Sequence, residues 1–194
     1  IKNNFEDIEP QFNHWIFDYI DQNQGSYLEL GPGLCRLYKT FYLKGWKCQG
    51  LEQRSFIKIN GIKKDIKDIE NNNDVVAAID VLEHLVDPIE MLKKINSKIK
   101  KGGKIFLTYP HSESFKSKIL KDRWSMVSPL AHIHYFSKNL IFSSTLASCP
   151  EYIIGIPGNV NNIVDNGYTL LPKCSIITLF QLFSSWLSKK FIFK

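Results

Sequence analysis

The chain of 194 residues reads as an α/β protein: a doubly wound, mostly parallel sheet flanked by helices. Three observations predict this. Short apolar runs alternate with helical patterns from Tyr27 to Tyr109, the order expected of parallel strands joined by crossover helices. The run Val75-Val76-Ala77-Ala78-Ile79 is apolar without interruption, as a strand buried on both faces requires. The first strand stops at Gly31-Pro32-Gly33 and passes directly into a helix, a connection that favours ligand binding at the carboxyl edge of such a sheet.

Taken in order, Phe5, Ile8, Phe12, Trp15, Ile16 and Tyr19 fall at helical spacing and predict a helix over 11–19 across the front of the domain. Leu28 and Leu30 carry the first strand. Gly31 and Gly33 let the backbone bend tightly and keep side chains out of the way of a ligand. The helix expected over about 34–43 points its amides back at that turn. Glu29, near the strand end, supplies a carboxylate able to hold a cation. A second strand over 46–51 ends in Glu52, about 20 residues after Gly31, the offset at which dinucleotide-type folds set an acid on a ribose. A carboxylate accepts from both ribose hydroxyls at once; the bland alternative is an exposed acid at a strand end.

Gly61 to Lys63 predicts a short third strand, with Asp65 in the polar turn after it, and 71–74 reads as a loop. The fourth strand, 75–79, ends at Asp80. Asp87 caps a helix that Pro88 starts and that runs to about Ile99, because Pro suits the first turn and Asp the N-cap. Residues 100–103 stop it, and 104–109 form the fifth strand. Glu29, Glu52, Asp65, Asp80 and the Pro110–His111 pair therefore converge on one sheet edge.

Length predicts one domain over 1–194, with a core of about 27–146, a helical cover in 1–26, and a strand, loop and apolar helix in 147–194. The apolar and charged fractions, 44% and 23%, are those of an ordinary globular protein. A net charge of +6 owes much to Lys93, Lys94, Lys98, Lys100, Lys101 and Lys104. They lack interleaved stacking aromatics, so a solvated face is favoured over nucleic-acid binding. Cys35, Cys48, Cys149 and Cys174 show no metal-ligand spacing or close pairs, which fits a reducing, cytoplasmic setting. No signal peptide is read at the start, and no span reaches the roughly 20 apolar residues that cross a bilayer. Residues 174–188 are uncharged, with Ile176, Leu179, Phe180, Phe183, Trp186 and Leu187 at helical spacing. They read as a packed helix or partner surface, or as an amphipathic segment at a membrane edge with Lys189 and Lys190. The sequence leaves the oligomeric state open.

Several blocks together resemble class I S-adenosylmethionine-dependent methyltransferases, most nearly the small-molecule, ubiquinone-biosynthesis-type branch. They are Leu28-Glu29-Leu30-Gly31-Pro32-Gly33, Glu52, Asp74-Val75-Val76, and Asp80-Val81-Leu82-Glu83-His84-Leu85-Val86-Asp87-Pro88. Lys101 to Pro110 and His132-Ile133-His134-Tyr135-Phe136-Ser137 follow, so the resemblance spans about 27–146. The Leu-Glu-His block with its Asp-Pro is far more specific than the glycine turn. A nicotinamide dehydrogenase would need glycine at Arg36.

The resemblance implies a Rossmann-like fold, S-adenosylmethionine as cofactor, and methyl transfer to a small molecule, with oxygen the preferred acceptor atom. It implies Glu29, Gly31 and Gly33 around the methionine end, Glu52 on the ribose and Gln53 beside the adenine. Asp65 would accept from the adenine amino group with Ile66 packed near the ring, and Asp80 and Val81 would line the sulfur side. Cys35 replaces the family's third glycine, with the expectation of a narrowed pocket or a slightly shifted helix. An antiparallel seventh strand is implied after Cys149. The cofactor is a cation without phosphates, which suits carboxylates. A nucleic-acid methyltransferase and a non-catalytic, partner-binding domain are the alternatives.

Methyl transfer to a hydroxyl gains from a general base, and histidine suits neutral pH. His132 is the preferred base, with His111 and His134 as the other candidates. His84 reads either as packing at the helix start or as a substrate contact. Trp124 and Tyr135 are candidate pocket walls, though core packing is the commoner fate of aromatics. No metal is expected, because neither His132 nor His134 has a Cys or acidic partner at ligand spacing.

Overall fold

A computed structural model describes residues 5–53, 59–137, 153–154 and 169–170. Five parallel strands form the sheet: β1 (Ser26–Leu30), β2 (Lys47–Leu51), β3 (Ile62–Lys63), β4 (Asn73–Ile79) and β5 (Ile99–Thr108), in spatial order β3-β2-β1-β4-β5. The crossovers include α1 (Arg36–Leu43) and α2 (Pro88–Lys98), and α3 (Phe115–Leu120) follows β5.

Alternation along the strands divides the core into two layers. Leu28, Leu30, Val76, Ala78, Ile105 and Leu107 pack with Leu92 and Ile95 of α2. Tyr27, Val75, Ala77 and Phe106 pack on the opposite face with Leu37 and Phe41 of α1. The Tyr27 and Phe41 rings stack with centroids 3.6 Å apart. The expected doubly wound arrangement is therefore the observed one. At the carboxyl edge, the strand order reverses between β1 and β4, which opens the crevice where ligands of such sheets bind.

Boundaries differ where tertiary contacts override local pattern. The helix expected over 11–19 is only a 3₁₀ turn, Trp15–Tyr19. The Gln11 amide donates to the Thr40 hydroxyl rather than into a helix, and His14 Nδ1 accepts from the Ile16 amide as a cap. Ile16 alone of that turn is fully buried, so one turn suffices to cover the α1 layer. Helix α1 starts at Arg36 rather than near Leu34, because Gly33 and Cys35 are left-handed at φ +52° and +56°.

Asn73 and Asp74 belong to β4 rather than to a loop. Fully buried Asn73 donates to the carbonyls of Glu70 and Lys98 and accepts from the Gln49 amide. This network extends the strand with polar residues, which apolar patterning does not register. β5 likewise begins at Ile99 and includes 100–103, with a register shift opposite Asn73–Val75. Gly102 at φ +81° accommodates that irregularity.

Helix α2 agrees with expectation: Asp87 caps it by accepting from the Glu90 amide, and Pro88 opens it. The short antiparallel pair β6 (Ile153–Ile154) and β7 (Thr169–Leu170) lies past the core, with β7 beside β5. The apolar segment 174–188, Cys149 and Cys174 lie outside the described residues. Among the described residues, no helix is long and apolar enough to cross a membrane.

Candidate active site

The glycine turn closes β1 with both glycines left-handed, Gly31 at φ +57° and Gly33 at φ +52°. A Cβ on Gly31 would lie 2.7 Å from Val81 Cγ2, whereas one on Gly33 would meet only the Gly31 carbonyl oxygen at 3.9 Å. Gly31 thus lets β1 and the end of β4 approach, and Gly33 keeps the space before it open.

Across this turn lies a cavity of about 390 Å³. Its lining includes Gly31, Gly33, Glu52, Gln53, Asp80 and Val81. His84, Leu85 and Met91 extend the wall along the strand exit. Asp80 leaves β4 in a left-handed conformation at φ +53°, its carboxylate accepting from the Thr108 hydroxyl at 2.8 Å. That turn sends the chain into a 3₁₀ segment, Leu82–His84. The lining carries two carboxylates, Glu52 and Asp80, and neither Lys nor Arg. Such a surface repels phosphate and favours a cationic ligand.

Three expected cofactor residues stand apart from that lining. Glu29 lies behind the turn, 5% exposed, on the α1 face of the sheet. Burial pushes its carboxyl from an ordinary 4.5 up to about 8, against the lowering influence of the Tyr27 hydroxyl and the Tyr38 amide. Asp65 instead caps a 3₁₀ turn by accepting from the Lys67 amide, and Ile66 packs against the α2 layer. Cys35, expected to narrow the pocket, turns into the core beside Ile8 and Tyr38.

The position of Glu29 has a stability consequence. The folded chain keeps its proton where the unfolded chain has lost it, so stability falls as pH rises between about 4.5 and about 8. Full protonation linkage of one group corresponds to about 1.4 kcal/mol per pH unit. We expect Glu29→Gln to flatten that slope in urea unfolding series across the same interval. An unchanged slope would relieve Glu29 of this role.

The histidines divide. His111 is 1% exposed and bridges to Phe136 beside the end of β5, with Nε2 3.8 Å from Glu113. His134 Nε2 lies 3.4 Å from the Val86 carbonyl. His84 and His132 face each other, ring centroids 5.0 Å apart. His84 Nδ1 approaches the Ala131 carbonyl at 2.5 Å and His132 Nδ1 the Met126 carbonyl at 2.8 Å. A carbonyl only accepts, so both rings direct an Nδ1 proton at their carbonyls, which leaves Nε2 as the nitrogen free of those bonds.

The loop that presents His132 is fastened internally. The Tyr135 hydroxyl donates to the Met126 carbonyl and accepts from the Ser128 amide, and the His132 amide donates to the Ser128 carbonyl at 2.7 Å. Trp124 is 3% exposed beside Tyr135. Trp124 and Tyr135, expected as pocket walls, are thus found as supports of the loop and not among the cavity lining.

Two residues escaped the sequence reading. Glu83 is 1% exposed, with one ligand atom from each of Glu83, His84 and His132 lying within 4.8 Å of the others. Burial pushes its carboxyl up to about 7. His14 approaches Asp80 closely enough for charge interaction, while burial lowers its pKa to about 4 and keeps it neutral near pH 7. Adjacency of Glu83 to His84 was the available signal for the first; nothing local marks His14.

A family model described as a methyltransferase domain matches residues 8–141. The chain belongs to that family. This methyltransferase shares its fold with a SAM-dependent methyltransferase from Archaeoglobus fulgidus, with a TM-score of 0.61 at 16% identity over 81% of this chain and 90% of that one. A S-adenosylmethionine dependent methyltransferase from Mesorhizobium loti aligns with a TM-score of 0.59 at 9% identity, covering 80% and 94%. The mitomycin 7-O-methyltransferase MmcR aligns at 0.55 and 14% identity, covering 80% of this chain and 52% of its own. No curated protein sequence matches. The methyltransferase is of the class I, S-adenosylmethionine-dependent type, and its carboxylate-lined cavity, without Lys or Arg in its wall, fits a sulfonium cofactor.

Proposed function

We propose that this methyltransferase acts on a hydroxyl oxygen of a small molecule. The carrying observation is the adjacency of the cavity to Glu83, His84 and His132, through His84 in its wall. S-adenosylmethionine, when bound, supplies a methyl group whose bond to sulfur breaks, with its electron pair, as the bond to the acceptor oxygen forms. Gly31 and Gly33 would hold the methionine end, Glu52 the ribose hydroxyls and Gln53 the adenine edge. Asp80 and Val81 would line the sulfur side. His132, with its Nε2 lone pair available, would take the hydroxyl proton and pass it to water. Most of the remaining catalysis is alignment in a sheltered site.

The surroundings support a small, partly apolar acceptor. Val86, Leu130 and Ile133 are exposed beside the histidines, at 89%, 102% and 51%. The lysine cluster lies elsewhere. Lys98 donates to the Ile69 carbonyl, Lys100 pairs with Asp74, and Lys104 pairs with Asp21, all toward the opposite edge of the sheet. A nucleic-acid track would be expected to run past the cavity instead. Membership of the ubiquinone-type branch and a cytoplasmic location are part of the same reading.

Incubation of metabolite extracts with methyl-labelled S-adenosylmethionine tests it: label should appear in a small molecule as a methyl ether. Label confined to RNA, or to nitrogen or carbon, would overturn the acceptor assignment. Separately, Glu52→Ala should weaken cofactor binding by about 1–3 kcal/mol, the cost of losing a buried hydrogen-bonding partner. Calorimetry against an intact circular dichroism spectrum checks this. An unchanged Kd removes Glu52 from the ribose.

A further inference from the structure

We propose that the amino edge of the sheet carries a second small-molecule site, for a free α-amino acid with a small apolar side chain. The site is a cavity of about 300 Å³, at the lower end of the range for small-molecule pockets. The end of the N-terminal cover supplies Ile20, Asp21 and Gln22, β4 supplies Asp74, and β5 supplies Lys100 and Lys104. Asp74 stands at the start of β4 and Asp80 just past its end. The cavity therefore lies about one strand length, roughly 20 Å, from the cofactor cavity.

Its charges are held in place by the fold. Asp74 Oδ2 accepts from both the amide and the hydroxyl of Ser26 on β1, each at 2.8 Å, and its Oδ1 holds the Lys100 ammonium. Lys104 donates to the Tyr19 carbonyl at 2.6 Å and to Asp21 Oδ2 at 2.7 Å. An ammonium has three N–H donors and a carboxylate about four acceptor sites, so these bonds leave capacity on both lysines and on Asp21. The Gln22 amide comes close to Asp74: a Cβ on Gly25 would lie 3.0 Å from Gln22 Nε2 and 2.9 Å from Asp74 Oδ2. Gly102 leaves its part of the wall open, since a Cβ there would meet nothing within 4 Å.

Charge balance decides the ligand class. The lining holds two ammoniums, of Lys100 and Lys104, and two carboxylates, of Asp21 and Asp74. A simple anion would meet both carboxylates and a simple cation both ammoniums, so each gains little net attraction. A zwitterion presents its carboxylate to the lysines and its ammonium to Asp21. In an α-amino acid the two groups share one carbon, which suits a Lys104–Asp21 pair held at 2.7 Å. The ligand lies across that pair and completes an array of four alternating charges. Val75 is 1% exposed, so Ile20 is the apolar surface that remains for a short aliphatic side chain.

Sharing the lysines with a ligand costs little. Asp21 is 94% exposed and Lys100 42% exposed, and ion pairs in contact with water contribute little to stability. The lysine cluster that sequence reads as a solvated face is thereby divided. Lys100 and Lys104 line the cavity, whereas Lys101 is exposed outside its lining.

The test uses the full chain and labelled L-valine in equilibrium dialysis, with S-adenosylmethionine added to fill the cofactor cavity. One L-valine per chain should stay bound under that condition. Isovalerate lacks the ammonium and isobutylamine lacks the carboxylate. Each should compete at least about tenfold more weakly than unlabelled L-valine, the factor expected for a lost hydrogen bond to a charged group. Lys100→Gln and Asp21→Asn should each weaken binding by about 10–100-fold, and Lys101→Gln should leave it unchanged. Because Asp21 is exposed, Asp21→Asn decides the matter if Lys100→Gln disturbs the fold. No binding of L-valine, equal competition by isovalerate or isobutylamine, or wild-type affinity in folded Lys100→Gln and Asp21→Asn overturns the site. Displacement of L-valine by S-adenosylmethionine places the amino acid in the cofactor cavity and overturns it as well. None of these outcomes bears on the methyl acceptor, whose own test follows label into a methyl ether.

Discussion

His132→Gln is expected to lower turnover by about 10²–10⁴-fold, the usual contribution of a positioned proton acceptor. The affinity for S-adenosylmethionine should be unchanged. Glutamine keeps most of the volume, and its amide can still donate to the Met126 carbonyl that holds the imidazole at 2.8 Å. The loop would persist through the Tyr135 and Ser128 bonds, so loss of rate would report on chemistry at Nε2. The other histidines provide the contrast. His111→Gln should act mainly on thermal stability, since that ring is buried at the bridge between residues 111 and 136. His134→Gln should alter neither strongly. Single-turnover rates with labelled cofactor would distinguish the three. Wild-type rates in His132→Gln would leave a site that works by alignment alone.

Gly31→Val should cost both stability and cofactor binding. At φ +57° an L side chain is strained by about 1–2 kcal/mol, and a β-branched one tolerates that conformation least. The new Cβ would also fall 2.7 Å from Val81 Cγ2, so β1 and the exit from β4 must separate. Overpacking of this kind costs about 1–3 kcal/mol, giving a total of roughly 2–5 kcal/mol. Val81 itself lines the cavity, so its displacement reshapes the proposed sulfur side and should weaken cofactor binding by more than about 100-fold. Gly33→Ala separates the two causes: its φ of +52° is also strained, but its Cβ meets little. It should lower the melting temperature and disturb affinity less. Cofactor binding in Gly31→Val close to wild type would show that the turn is not the cradle.

The sheet was legible because burial on both faces leaves an uninterrupted apolar run, as at 75–79, and because Asp87-Pro88 is a local stop-and-start signal. Asn73 was not, since its place in β4 depends on carbonyls of Glu70 and Lys98 that only the fold supplies. The same distinction governs the site. Gly31, Glu52 and Asp80 reach the cavity from strand ends, which spacing reveals. Glu29 and Asp65 sit at comparable positions, yet one faces the α1 layer and the other spends its carboxylate on a local turn. Glu83 escaped notice because the histidine it meets besides its neighbour His84, His132, arrives on a loop remote in sequence.

The loop over 124–135 is held internally by the main-chain oxygens of Met126 and Ser128. It meets the cavity edge where the Glu83 carbonyl accepts from the Ile133 amide and the Ala131 carbonyl faces His84 Nδ1. Leu130 and Ile133 take no side-chain part in those ties and face outward. Substitution at these two positions therefore leaves the anchorage of His132 in place while changing the surface an incoming molecule meets. If the acceptor docks there as proposed, the part that must hold still is separate from the part that can drift, and exchange of Leu130 or Ile133 would alter acceptor choice without rebuilding the loop beneath them.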